Sequence, residues 1–178
     1  EAFKQKIAEE CTIANLDKIK IFEADFKNQS WVDECNEFMA ISDFIPNILI
    51  NCVAINFPVG TSENISLVDW KEHFEINFFS HIALTNLFLD KINDSKISWI
   101  FNISGGGATK PMPFFTPYST SKIALIKYTE NLSIELRERN VIVNAIAPGF
   151  LATRIHSKSL EEISELPSSI KDDIKRRL

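Results

Sequence analysis

Residues 97–122 read ISWIFNISGGGATKPMPFFTPYSTSK. The first seven, Ile97 to Ile103, form a short run rich in β-branched and aromatic residues, the composition of a buried strand. Ser104 and three glycines end that run, and Pro111 and Pro113 keep the following loop out of a helix. From Tyr118 the chain turns helical over 118–139, and VIVNAIA at 141–147 is again a short apolar run. Strand, loop, helix and strand at this spacing make a βαβ unit, so the two strands are expected to run parallel.

The same alternation extends upstream. NILINCVA (47–54), bounded by Pro46 and Pro58, suits a strand buried on both faces. A long helix is expected over 66–92, with Ser66 as its cap and Asp69 three residues on. That helix is apolar around much of its circumference, so it packs on more than a sheet, and a subunit interface is one explanation. Ser30 is the candidate cap of a helix that puts Trp31, Cys35, Phe38 and Met39 on one face. IKIFEADF (19–26) alternates and reads as a strand, while Phe3, Ile7 and Cys11 give residues 1–15 helical spacing without a cap. After Pro148 and Gly149 come a polar loop and a weaker helical segment. The expected fold is α/β: one doubly wound, Rossmann-type domain over 1–178, with helices on both faces of a parallel sheet.

Composition narrows the function classes. The chain has 178 residues, 45% of them hydrophobic, and a net charge of −5, which describes a globular protein with no electrostatic reason to bind nucleic acid or an anionic membrane. It shows no apolar run of membrane-spanning length and no signal-peptide pattern. Cys11, Cys35 and Cys52 form no CxxC pair, which fits reduced thiols in a cytoplasmic protein. His73, His81 and His156 make no ligand cluster, so no metal is expected. For His73 and His81, packing or surface roles are expected.

In open parallel sheets, ligands bind beyond the carboxyl ends of the strands. Asp25, Asn51 to Ala54, Ser104 with its glycines, and Pro148-Gly149 fall at four such ends. Tyr118 and Lys122 are four apart and share a helix face. A free phenol titrates near a pH of about 10; a neighbouring ammonium favours the phenolate, and a phenol tuned towards neutrality serves as general acid or base. Ser104 could hydrogen-bond the oxygen that gains or loses the proton. Each feature also has a plainer reading: YxxxK is commonly a solvated pair, and a serine can simply cap a turn. FNISGGG is not the GxSxG elbow of a serine hydrolase, and GGGATKP runs into prolines rather than into a helix, unlike a P-loop.

Taken together, a strand-end serine, YxxxK opening a helix and NAIAPGFLATRI resemble the short-chain dehydrogenase/reductase family, in general character its 3-oxoacyl-carrier-protein reductases. LINCVA stands where that family has NNAG, FEINFFSHIALT matches the segment bearing its fourth catalytic residue, and EAD with Phe26 matches its adenine-contacting segment. The resemblance implies catalytic roles for Ser104, Tyr118, Lys122 and Asn77. Tyr118 would be the acid/base, Lys122 would lower its pKa and hold the nicotinamide ribose, and Asn77 would hold a relay water through a local helix distortion. It implies NAD or NADP as cofactor, with Asp25 and Phe26 at the adenine, Asn51 at the adenosine ribose, and Pro148, Gly149, Leu151 and Thr153 bordering the nicotinamide. The partner would be a small carbonyl or alcohol substrate, and helices 66–92 and 118–138 would pair in a homodimer or homotetramer. A catalytically silent dinucleotide-binding sensor or scaffold of the same fold is the alternative.

The sequence also departs from the family. Cys52 and Ala54 replace two residues of NNAG, and the five glycines, at 60, 105, 106, 107 and 149, include no TGxxxGxG turn. The resemblance therefore implies the middle of a larger chain, with the first two strands and the last strand absent. It leaves NAD against NADP open, because strand 2 normally decides that.

Overall fold

The computed structural model describes residues 19–28, 30–42, 45–149, 155, 161–164 and 166–177. The element order is α1 (Trp31–Ile41), β1 (Ile48–Asn51), α2 (Leu67–Phe74), a π-helical turn (Glu75–Phe79), α3 (Ser80–Leu89), β2 (Ser98–Ile103), α4 (Thr116–Glu135), β3 (Val141–Ile146) and α5 (Ser168–Arg177). The three strands form one parallel sheet in the order β1-β2-β3. Register places Ile50 beside Phe101, Asn51 beside Asn102, and Ile103 beside Ile146.

The strand period of two sorts the sheet residues onto two faces. One face turns Leu49, Ile100, Val141 and Val143 towards Phe88 of α3 and Leu132 of α4, with Leu136 just beyond, and this is the main core. The opposite face carries Ile48, Ile50, Ile142 and Ile146, which are 39–61% exposed. A second cluster joins Trp31 and Cys35 of α1 to Leu87 of α3.

Local chemistry sets the element ends. Ser66 caps α2: its hydroxyl accepts the Asp69 amide at 3.2 Å and donates to the Asp69 carboxylate at 2.6 Å. Pro117 sits in the first turn of α4, where its missing N–H costs nothing. Beyond α4 the chain reverses at Asn140, in the left-handed region with φ 55°. Arg139 donates to Asp94 at 3.1 Å and to the Leu89 carbonyl at 3.0 Å. Asn140 donates to the Asp94 carbonyl at 2.9 Å, so the two loops at the amino end of the sheet are tied together.

Four expectations change. The strand expected over 47–54 is confined to Ile48–Asn51 and is not buried on both faces, since Ile48 and Ile50 stand exposed. Residues 19–25 form no strand, because their alternation is satisfied without a ladder: Phe22, Ala24 and Phe26 pack on the α1 cluster while Glu23 and Asp25 face outward. Ser30 precedes α1 but its side chain does not cap it; the hydroxyl donates to Glu34 instead. The single helix expected over 66–92 ends at Leu89 and is interrupted by the π turn, which contains Asn77. The helix expected over 1–15 lies outside the described residues.

His73 and His81, on α2 and α3, are fully buried. Burial pushes both imidazoles down to about 4, with the Lys122 charge adding to the effect at His81 and acidic neighbours opposing it at His73. Between pH 6.5 and 4 the unfolded chain therefore binds more protons than the folded one, and stability falls as pH drops through that window. Each histidine should account for on the order of 2 kcal/mol of that loss. Urea midpoints at pH 7 and pH 4 should show the advantage of wild type over a His73→Gln/His81→Gln chain shrinking on acidification; an unchanged gap would contradict the assignment.

Candidate active site

β2 ends at Ile103, and the ladder continues one step: the Ser104 amide donates to the Ile146 carbonyl at 2.8 Å. Ser104 is buried, and its hydroxyl lies 3.4 Å from the Lys122 carbonyl. The glycines lead into a short 3-10 turn at Gly106–Ala108. The loop then bends back at Phe114, whose positive φ of 70° is rare for an aromatic residue, with its carbonyl accepting from Gly60 at 2.9 Å. The chain re-enters helix at Thr116, and the first turns of α4 come to rest over the end of β2.

That geometry brings three of the four expected catalytic residues to one strand end. The Tyr118 hydroxyl lies against the main chain of Gly105, the residue after Ser104. Lys122, one helical turn further, is 1% exposed, and its ammonium donates to the Ile103 carbonyl at 2.9 Å. No carboxylate among the described residues pairs with it. Burial lowers its pKa to about 8, partly opposed by Cys52. The Tyr118 phenol does not follow the direction expected from YxxxK: burial pushes it above its ordinary value. Burial is the cause, and the Lys122 ammonium is engaged by the Ile103 carbonyl.

Asn77 completes the group from the π turn. Fully buried, it accepts from the Ile55 amide at 2.8 Å and donates to the Ile55 carbonyl at 2.9 Å and to Ser121 at 3.1 Å. One side chain thus joins the loop after β1 to α4. The local distortion expected at Asn77 is present as this widened turn, a feature often found at functional sites.

The expected cofactor residues are more dispersed. Asn51 is 1% exposed with its amide turned inward, so any ligand contact there would come from its backbone. The Asp25 carboxylate accepts from the Lys27 amide at 3.1 Å, and Phe26 packs edge-on against Trp31 at 4.9 Å. Pro148 and Gly149 follow β3, exposed, with Gly149 at φ 80°. Leu151 and Thr153 lie outside the described residues. The loop before α4 and the segment near 161–174 pack together: Val59, Phe115, Ile163 and Ile174 form a cluster that Met112, Phe114 and Tyr118 join. A cavity of about 240 Å³ beside Ile55, Phe57 and Pro58 is lined by Asp69, Glu72 and Glu162. Those carboxylates already hold Ser66, Lys27 and the Val59 amide respectively.

Sequence reasoning missed the polar lattice that holds the strand ends in place. Asn51 donates to Asn102 at 2.8 Å and to Thr85 at 3.2 Å. Asn102 in turn donates to Thr129 at 2.9 Å, which donates to the Leu125 carbonyl at 2.7 Å. One His81 ring nitrogen lies 2.9 Å from the Val53 carbonyl. The signal was present: an asparagine inside each of two apolar strand runs must find a buried partner.

The short chain dehydrogenase family profile matches residues 2–164. Dehydrogenase/reductase SDR family member 4 of Homo sapiens is 30% identical over 131 residues, spanning 74% of this chain and 47% of that protein. The 3-oxoacyl-[acyl-carrier-protein] reductase FabG of Aquifex aeolicus is 37% identical over 101 residues, 57% of this chain and 41% of the relative. The chain thus spans about half the length of the curated relatives it matches. Among solved structures, a short chain dehydrogenase/reductase from Saccharomyces cerevisiae superposes with a TM-score of 0.79 at 21% identity, over 98% of this chain and 67% of that one. The likeness at that identity is one of fold.

Asn102 is the shared member of the lattice, bonded to both Asn51 and Thr129. Asn102→Ala removes a partner from two buried polar groups, which costs roughly 2–4 kcal/mol in all. A urea-melt difference under about 0.5 kcal/mol would contradict the structural role given to the lattice.

Proposed function

Since the chain belongs to the short chain dehydrogenase family, we propose that it carries the proton-transfer half of an NAD(P)-dependent oxidoreductase acting on a carbonyl/alcohol pair. The observation that supports this most is that the Tyr118 hydroxyl lies against Gly105 and the Lys122 ammonium on the Ile103 carbonyl, the two residues that flank Ser104 at the end of β2. The nicotinamide half of a dinucleotide fits the residues present. A buried cation with no carboxylate partner among the described residues stands beside Ser104, and Pro148-Gly149 closes the neighbouring strand end. The sequence offers no glycine-rich turn for the pyrophosphate. A bound nicotinamide would supply or accept the hydride.

The chain's own residues handle the proton. Tyr118, held above its ordinary pKa by burial, is a neutral phenol at pH 7 and is set to donate to a carbonyl oxygen. Lys122, with a pKa of about 8, remains mostly an ammonium at that pH; held on the Ile103 carbonyl, it is assigned to the nicotinamide ribose. Ser104 orients the substrate oxygen, and Asn77 holds the loop after β1 in place from the π turn. Asp25 and Phe26 are assigned to the adenine, the Asn51 backbone to the adenosine ribose, and Leu151 and Thr153 to the nicotinamide border.

The apolar cluster around Tyr118 favours a substrate with an apolar arm. A β-keto thioester is one candidate and a sugar carbonyl another. Phe79 of the π turn and Ile123 and Ile134 of α4 are 46–65% exposed, which supports self-association of these helices in a homodimer or homotetramer. Cys35 and Cys52 are free thiols, in keeping with a cytoplasmic setting. Among the described residues no helix is long and apolar enough to cross a membrane.

Cofactor oxidation with a carbonyl panel tests the reading. Tyr118→Phe should lower turnover by about 10²–10⁴-fold while dinucleotide binding persists. Equal turnover in the two chains would remove the catalytic assignment, and binding without turnover in either would favour the silent binder.

A further inference from the structure

The loop after β1 is held from one side of a helix. β1 ends at Asn51, and Cys52 to Ala54 have no strand partner among the described residues. Every second residue from Asn51 is nevertheless fixed. The Asn51 side chain donates to Thr85 at 3.2 Å, and His81 Nε2 lies 2.9 Å from the Val53 carbonyl. Asn77 bonds the amide of Ile55 at 2.8 Å and its carbonyl at 2.9 Å. Asn77, His81 and Thr85 are spaced by four, and these bonds place them on one side of the π turn and α3. All three are fully buried. The residues between the anchored positions are more open: Cys52 is exposed and Ala54 half-buried, and Cys52 acts electrostatically on the Lys122 ammonium.

His81 is the middle anchor, and its surroundings fix its tautomer. A carbonyl only accepts, so the nitrogen facing Val53 carries the proton. Burial and the Lys122 charge keep the ring neutral, with a pKa of about 4, so Nδ1 carries none. Nδ1 is itself buried with no partner among the described residues. The imidazole therefore has one directional bond to make, and it makes it to the loop main chain.

We infer that His81 is a positioning residue: its Nε2–H holds the Val53 carbonyl, so that the open side of Asn51 to Ala54 stands as a fixed wall of the dinucleotide crevice. The crevice half of this statement rests on the dinucleotide reading given above; the anchoring half does not.

Two variants of the full chain separate the halves. His81→Leu removes the donor with little loss of bulk, whereas His81→Gln puts an amide N–H at similar reach. In hydrogen-exchange mass spectrometry without ligand, peptides covering 52–55 should exchange about tenfold faster in His81→Leu. In His81→Gln they should stay within about twofold of wild type. Equal exchange in all three chains would overturn the anchoring whatever the chain binds. In titrations with NADH and NADPH, His81→Leu should raise Kd about tenfold, the scale of one lost hydrogen bond. Its kcat should stay within about threefold, and His81→Gln should restore the affinity. An unchanged Kd in His81→Leu, or a lowered kcat at unchanged Kd, would overturn the positioning role. If wild type bound neither dinucleotide, the dinucleotide reading and the crevice half would fall together, and the exchange result would still decide the anchoring. Should His81→Leu not fold, 15N NMR of wild type at pH 7, with His81→Gln for assignment, gives the answer instead. A proton on Nε2 and none on Nδ1 is expected, and the reverse would overturn the anchoring.

Discussion

The bond between the Lys122 ammonium and the Ile103 carbonyl is the constraint on which the site depends. It fastens α4 to the last residue of β2, one residue before Ser104, and so fixes how Tyr118, one turn earlier on the helix, meets the strand end. A cation buried with no carboxylate partner among the described residues is costly, and burial shows as an amine pKa lowered to about 8. Such a group is hard to explain as a contribution to stability. It is what a site that needs a fixed positive charge would retain.

The two ends of the sheet are built differently for the same reason. At the amino end, Arg139 and Asn140 close the loops around Asp94, and the core behind them is apolar: Phe88, Ile100, Leu132, Val141 and Val143. Towards the carboxyl end the interior turns polar, through Asn51, Asn102, Thr85 and Thr129, with Asn77 bridging a π turn to the loop after β1. Directional bonds hold a strand end in one position where apolar packing would tolerate small shifts. Precise placement is what proton transfer asks of its donors.

Much of this was legible in the chain. Short apolar runs ended by Ser104 and Pro148, and helices opened by Ser66 and at Tyr118, pointed to the parallel sheet. What was not legible depended on neighbours. Residues 19–26 have the alternation of a strand, but a ladder partner is not written in their own sequence. The π turn leaves no mark in apolar periodicity, because Glu75 to Phe79 read as ordinary helix. The Tyr118 phenol was expected to be acidified by Lys122, since spacing shows that two groups share a face but not which way the longer one bends. Lys122 bends towards Ile103.

The most direct test of the buried, carbonyl-bound ammonium is its own titration. With 15N-labelled lysine, the Nζ resonance of Lys122, assigned by comparison with Lys122→Met, can be followed by NMR from pH 6 to 11. The account predicts a midpoint near pH 8. A midpoint at the ordinary lysine value of 10.5 would mean that the amine stands in water, and would contradict it.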